Sequence, residues 1–278
     1  MTIDEIINAA LKEDIGSGDH TSLSTIPASA QGKARLLIKE EGIICGIDVA
    51  FKVLAKVDAS IIIERILNDG DHVKPGDVAF TIEGPSVSIL TAERLLLNFM
   101  QRMSGIATTT NYYVQQLKGT HTRLLDTRKT TPLLREMEKY AVKTGGGENH
   151  RFGLYDMILI KDNHIDFAGG ISGAVNAVKV YLKSKNLDLK IEVEARTLED
   201  VKEILGCGIV NRIMLDNFTP DRLKEAITLI AGRAETEASG GITIINLREY
   251  AETGVDFISV GALTHHIKSL DMSLKAFF

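Results

Sequence analysis

Six short apolar runs dominate the second half of this 278-residue chain, each ending on a polar residue or a glycine and each followed by a helix-length stretch. They read RLLD to Asp126, MILIK to Lys161, IEVE to Glu194, IMLD to Asp216, ETEAS to Ser239 and FISVG to Gly261. Their ends lie 35, 33, 22, 23 and 22 residues apart, room for one helix and two loops, which is the βα unit of a parallel barrel or sheet. In a (β/α) barrel all strand ends open on one face, whereas a doubly wound sheet gathers its ligand groups at a single switch point. Polar or glycine ends on all six runs favour the barrel. A complete barrel needs eight units. The sequence therefore predicts an incomplete, open α/β barrel of about six to seven parallel strands over 111–266, its missing wall supplied by other elements or by another subunit.

Residues 1–110 are written in another style. From Lys33 to about Pro85, short β-type runs (ARLLIKE, GIICGI, SIIIERIL, VAFTIEG) are broken by turn clusters such as NDGDHVKPGD, which predicts antiparallel strands in an α/β N-terminal domain. The C-terminal segment 267–278 is a candidate addition to it. A helix should follow, capped by Thr91, with Leu95, Leu96, Phe99, Met103 and Ile106 on its buried face. A formal net charge of -5 argues against a general nucleic-acid or membrane-surface binder, so any anion site must be local. Cys45 and Cys207 form neither a disulfide framework nor a metal pair, and the opening MTIDEIINAALKEDIG reads as an acidic amphipathic helix without a basic leader. With no apolar run near the roughly 20 residues of a membrane span, a soluble, cytoplasmic protein is expected.

The cations show where an anion would sit. Thr131 reads as N-cap and Pro132 as first residue of a helix whose buried stripe is Leu133, Leu134, Met137 and Ala141, with Gly145 ending it. Arg128 and Lys129 then fall in the loop after the first barrel strand. Loop charges ordinarily face water. Here the next loop repeats the pattern in GGGENHR, with His150 and Arg151, and the following strand ends on Lys161. Arg94 would be the third residue of the Thr91-capped helix, where the helix dipole favours an acid, so it is either a surface accident or a ligand for an anion. Glu194 and Asp216 end consecutive strands; they suit ion pairing with Lys161, or hydrogen bonds from sugar hydroxyls beside a metal carried by a phosphorylated ligand. Ser239, Gly240 and Gly241 precede a helix expected near Ile242, and Gly261 follows the last strand, the places where such barrels bind phosphate. His164, His265 and His266 lack zinc-ligand spacing.

In order along the chain stand EDIGSGDHTS, ERLLLNFMQRMSGIAT, DTRKTTP, KTGGGENHRFGLYDMILIKDNHI, EVEA, LDN, EASGGI and SVGALTH. On these motifs the sequence resembles the quinolinate phosphoribosyltransferases, the carboxylating nicotinate-nucleotide pyrophosphorylases of NAD biosynthesis. The resemblance implies a homodimer with shared active sites and transfer of phosphoribosyl from 5-phosphoribosyl-1-pyrophosphate to quinolinate with loss of CO2. It puts Thr127, Arg128, Lys129, His150, Arg151 and Lys161 around the pyridine dicarboxylate, and makes Arg94 the arginine contributed across the dimer. Glu194, Asp216, Ser239, Gly240, Gly241 and Gly261 match positions holding the phosphoribosyl pyrophosphate, which would bring Mg2+ with it, with His265 an addition and Glu192 a competitor for Glu194. Lys129, Glu194 and Asp216 are the implied catalytic groups. Three alternatives stand beside it: a Schiff-base lyase on Lys161, a related phosphoribosyltransferase for another substrate, and a ligand-binding sensor on the same fold.

Overall fold

The computed structural model describes residues 1–277 in two compact units. One comprises Met1–Asn111, Thr130–Gly146 and the stretch from Leu263 onward; the other comprises Tyr112–Lys129 and Gly147–Ala262. This differs from a single cut near residue 110, because Thr130–Gly146 belongs with the first unit and not with the barrel strands. Along the chain come α1 (Ile3–Ile15), α2 (His20–Thr25), β1 (Gln31–Ile38), β2 (Gly42–Ile43), α3 (Ile47–Val57), β3 (Ile62–Arg65), β4 (His72–Val73), β5 (Val78–Pro85) and α4 (Ser86–Gln116). Then follow β6 (Arg123–Leu125), α5 (Arg135–Thr144), β7 (Ile158–Ile160), α6 (Asp162–Phe167), α7 (Ile171–Lys185), β8 (Ile191–Ala195) and α8 (Leu198–Cys207). The chain ends with β9 (Arg212–Asp216), α9 (Pro220–Ile230), β10 (Glu235–Ser239), α10 (Leu247–Ala251), β11 (Phe257–Ser259), α11 (Ala262–His265) and β12 (Met272–Phe277).

In the first unit the sheet order is β12-β1-β5-β3, with β1 antiparallel to both neighbours, so the C-terminal strand closes one edge of the N-terminal sheet. Helix α4 buries Leu95, Leu96, Phe99, Met103 and Ile106. It starts at Ser86, not after Thr91. The Thr91 hydroxyl donates to Asp19 Oδ2 at 3.2 Å, and Arg94 consequently lies in the helix interior, exposed, so the dipole argument made for it fails. The chain passes straight from β5 into the helix at Pro85–Ser86, and Ile89 and Ala92 already belong to the buried face. Gly105 lets α4 approach the main chain closely, since a Cβ there would stand 2.3 Å from the Lys268 carbonyl oxygen.

Helix α5 also starts later than expected, at Arg135 with Leu134 before it. Leu133 adopts a left-handed φ of 68° in the preceding turn and is 66% exposed, so it is not part of the buried stripe. Thr131 is used differently: its hydroxyl accepts from Arg102 at 2.7 Å and its N–H donates to Glu138 at 3.2 Å. Arg102 also pairs with the fully buried Glu138 at 2.6 Å, which fastens α5 to α4. A polar threonine in this position looked like a cap because the side chain that recruits it is 29 residues away.

The second unit holds the six expected strands in one parallel sheet, order β6-β11-β10-β9-β8-β7. Strands β6 and β7 form the two edges and share no ladder among the described residues; a single bridge from Leu125 to Glu148 extends the β6 edge. The result is an open barrel wall of six strands. Helices α7, α8 and α9 separate successive strands, each held by an apolar stripe, for example Val201 and Ile204 on α8 and Leu223, Ala226 and Ile230 on α9. Thr197 and Thr219 cap α8 and α9. None of the described helices is long and apolar enough to cross a membrane.

Candidate active site

Alternation along a strand sends every second side chain to the same face. Register puts Glu192 of β8 beside Arg212 of β9, and Glu194 beside Met214. It also puts Met214 beside Glu237 of β10, and Asp216 beside Ser239. Unlike the apolar filling usual in parallel strands, the layer below the strand ends is ionic. Glu192 and Glu237 are fully buried, His150 and Arg212 nearly so. The His150 Nε2 lies 3.0 Å from a Glu192 oxygen and 3.4 Å from a Glu237 oxygen. The Arg212 guanidinium reaches Glu237 at 3.3 Å and Glu235 at 2.9 Å, and lies 3.9 Å from the Phe257 ring centroid. Donor atoms of His150, Glu192 and Glu237 fall within 4.8 Å of one another, the spacing of a cation site, and Arg212 already supplies a cation there.

Above this layer opens a cavity of about 300 Å³, lined by Thr127, Arg128, Lys129, His150, Arg151 and Lys161, with Ser239 at its edge. Glu237, Met214, Leu159 and Ser259 form its floor. Local bonds fix the lining. The buried Asp126 accepts the His150 N–H at 2.8 Å, tying the loop that carries His150 and Arg151 to the end of β6. Thr127 accepts the Lys129 N–H at 3.0 Å. The Arg151 guanidinium donates to the Met157 carbonyl at 3.2 Å, and Asp156 accepts from the N–H groups of Phe152 and Gly153. Burial, and after it the Arg128 charge, pulls the Arg151 guanidinium below its ordinary value. Two guanidiniums close enough to repel one another are stabilised by an anion between them.

Glu194 and Asp216 stand at neighbouring strand ends beside Lys161, whose Nζ is 3.8 Å from Glu194. Burial first, then the Asp216 charge, pushes the Glu194 carboxyl up, while Lys161 opposes the shift. Burial also raises Asp216, against Lys161 and a hydrogen bond from Asn217 at 2.6 Å. The half-exposed, ion-paired Lys161 is not the desolvated amine that Schiff-base chemistry requires. Gly240 has φ 92°, and a Cβ there would stand 2.3 Å from the Asn217 amide oxygen, so this loop admits only glycine. Gly241 faces open space, and Gly261 lies between β11 and α11. No helix begins at Ile242: the helix after this loop is the short α10, starting at Leu247. His164 accepts the Lys161 N–H at 3.0 Å and so serves α6. Arg94 and His265 belong to the first unit, where the His265 ring packs edge-on against His266 at 4.6 Å.

Sequence reasoning missed Glu237 and underrated Glu192. The signal was present in Glu192 and Glu194, Arg212 and Asp216, Glu235 and Glu237: charges at alternate positions of strands too short and too enclosed to leave them in water. The cluster is coupled to folding. Burial lowers the His150 imidazole, but the Glu192 and Glu237 carboxylates outweigh it and push it up to about 9. The Arg151 N–H points at Nδ1 from 2.7 Å, while Nε2 faces both carboxylates. Burial, then the Glu237 charge, pushes Glu192 up to about 7 from 4.5. Folded protein thus binds the Glu192 proton more tightly than unfolded protein, and the contribution is complete below about pH 4.5 and lost as pH rises through about 7. Melting temperature should fall over that window, and Glu192→Gln should flatten the fall. An unchanged slope in the variant would put the proton elsewhere.

Fold and site define a class: an open α/β-barrel protein with a cation-lined cavity at the carboxyl ends of its strands. Family profiles described as "Quinolinate phosphoribosyl transferase, N-terminal domain" and "C-terminal domain" match residues 19–104 and 106–275. The nicotinate-nucleotide pyrophosphorylase [carboxylating], chloroplastic, of Arabidopsis thaliana is 47% identical over 285 residues, 97% of this chain and 81% of that protein. The probable carboxylating nicotinate-nucleotide pyrophosphorylase of Bacillus subtilis is 42% identical, over 99% of this chain and 93% of that one. The crystal structure of NadC from Streptococcus pyogenes superposes with a TM-score of 0.94 at 40% identity, covering 99% of this chain and 97% of that one. The chain belongs to the quinolinate phosphoribosyltransferase family.

Proposed function

We propose that the cavity over Glu237 is the quinolinate pocket and that the neighbouring strand ends hold the phosphoribosyl donor. The enzyme transfers phosphoribosyl from 5-phosphoribosyl-1-pyrophosphate to quinolinate with decarboxylation, giving nicotinate mononucleotide, pyrophosphate and CO2. The observation that supports this placement is the convergence of Arg128, Lys129, Arg151 and Lys161 on one cavity beside the raised carboxyls of Glu194 and Asp216. Two guanidiniums suit two ring carboxylates. Attack by the pyridine nitrogen on the sugar carbon passes through an oxocarbenium-like state, which Glu194 and Asp216 favour by accepting hydrogen bonds from the ribose hydroxyls. Lys129 faces the charge that develops on the leaving pyrophosphate. Mg2+ arriving with the donor would neutralise the same charge, and the paired acids, disfavoured beside one another, suit a cation-bearing ligand. Ser239, Gly240 and Gly241, with Gly261, offer backbone N–H groups to the 5-phosphate; His265 is added to them on the family resemblance alone.

The homodimer is part of this reading: Arg94, exposed on α4, is taken as the residue each subunit lends to its neighbour. So is a cytoplasmic location, in keeping with Cys45 and Cys207 as free thiols. Purified protein given quinolinate, the pyrophosphate donor and Mg2+ should form nicotinate mononucleotide and release CO2 in equal amounts. Mixing Arg94→Ala with Lys161→Ala protein should restore part of the activity that each lacks. No product in the first assay defeats the reaction assignment; no recovery in the second defeats the shared site.

A further inference from the structure

Glu237 has no part in the assignments above, yet it is fully buried, lines the cavity floor, and its Oε1 has no hydrogen-bond partner. Its other oxygen is engaged by Arg212 at 3.3 Å. Burial would raise its carboxyl, but the hydrogen bond to His150, followed by Ser259 and the Arg212 charge, holds it below the ordinary value, so it stays an anion. The pocket is therefore polarised. Cations ring the mouth, and a carboxylate with one free oxygen closes the bottom. Two features of a dicarboxylate site conflict in this arrangement, because an anionic floor opposes the binding of a dianion.

The reaction itself removes the conflict. Resting on the quinolinate reading of this pocket, we infer that Glu237 is a fixed counter-charge for the pyridinium ring formed during transfer. The ring nitrogen's lone pair forms the N–C1 bond as the bond from C1 to the pyrophosphate oxygen breaks, and that electron pair leaves with pyrophosphate. A neutral ring thereby becomes cationic. The bond from the ring carbon to the adjacent carboxylate then breaks, CO2 departs neutral, and the electron pair left on carbon takes a proton from water. An anion already in place beneath the ring attracts the charged ring and not the neutral one, so its effect is reserved for the transition state and the steps after it. Its cost falls on ground-state binding.

This separates Glu237 from a merely structural acid. Equilibrium binding of two probes to the full-length protein decides the matter: benzene-1,2-dicarboxylate, whose ring is uncharged, and 1-methylpyridinium-2,3-dicarboxylate, whose ring is cationic. Wild type should prefer the cationic ring by about tenfold or more. Glu237→Gln should lose that preference, bind benzene-1,2-dicarboxylate a few-fold more tightly than wild type, and show a kcat reduced by at least about tenfold without a raised KM for quinolinate. Equal affinities for the two rings in wild type overturn the inference even if the variant does not fold, and parallel weakening of both probes in Glu237→Gln assigns the residue to structure alone. Failure of benzene-1,2-dicarboxylate to bind wild type at all rejects the pocket reading, and this inference with it.

Discussion

Arg151→Ala protein should bind quinolinate roughly 10- to 100-fold more weakly than wild type while melting at the same temperature or slightly higher. A charge-assisted hydrogen bond contributes about 1.5–3 kcal/mol, and about 1.4 kcal/mol is tenfold in affinity. Removing one guanidinium from a pair that repel each other relieves the empty pocket, which is why stability should not suffer. The Met157 carbonyl loses one donor, but the loop remains tied by Asp156 to the N–H groups of Phe152 and Gly153. Arg128→Ala should behave alike, because both side chains line the same cavity. Titration with quinolinate in the absence of the donor, together with thermal melts, checks both halves. Wild-type affinity in both variants removes the dicarboxylate from this pocket.

The strand ends that led to these residues were legible because a βα repeat leaves a coarse, regular trace. Asp126, Lys161, Glu194, Asp216, Ser239 and Gly261 each lie in, or within two residues of, an observed strand. What the trace hid was depth. Glu237 lies two residues before Ser239, one pleat lower, and becomes important only when neighbouring strands bring Glu192, Arg212 and His150 to it. Local sequence cannot show that registration. Helix starts failed for a related reason. Thr91 and Thr131 have the chemistry of caps, but Asp19 and Arg102 claim their hydroxyls from 72 and 29 residues away. Where a cap is satisfied locally, as at Thr2, Thr197 and Thr219, the residue type and the helix start agree.

Arg212→Ala should destabilise the protein by about 3–5 kcal/mol, the cost of leaving a buried acid without its partner. Arg212 opens β9. Its guanidinium pairs with Glu237 and Glu235 and stacks on Phe257, whose ring Arg123 also approaches at 4.1 Å. Without it, Glu192 and Glu237 would face one another with His150 as the remaining cation of the cluster. The acids would then take up a second proton, so the loss should shrink as pH falls toward 5 and grow toward 8, a dependence that a simple cavity would not produce. The double variant Arg212→Met with Glu237→Gln should recover much of the stability, since removing both charges avoids the uncompensated one. Urea denaturation at several pH values measures these terms. A loss independent of pH, with no recovery in the double variant, would mean that Arg212 acts through packing on Phe257, and that the ionic layer beneath the pocket does not hold itself together by charge.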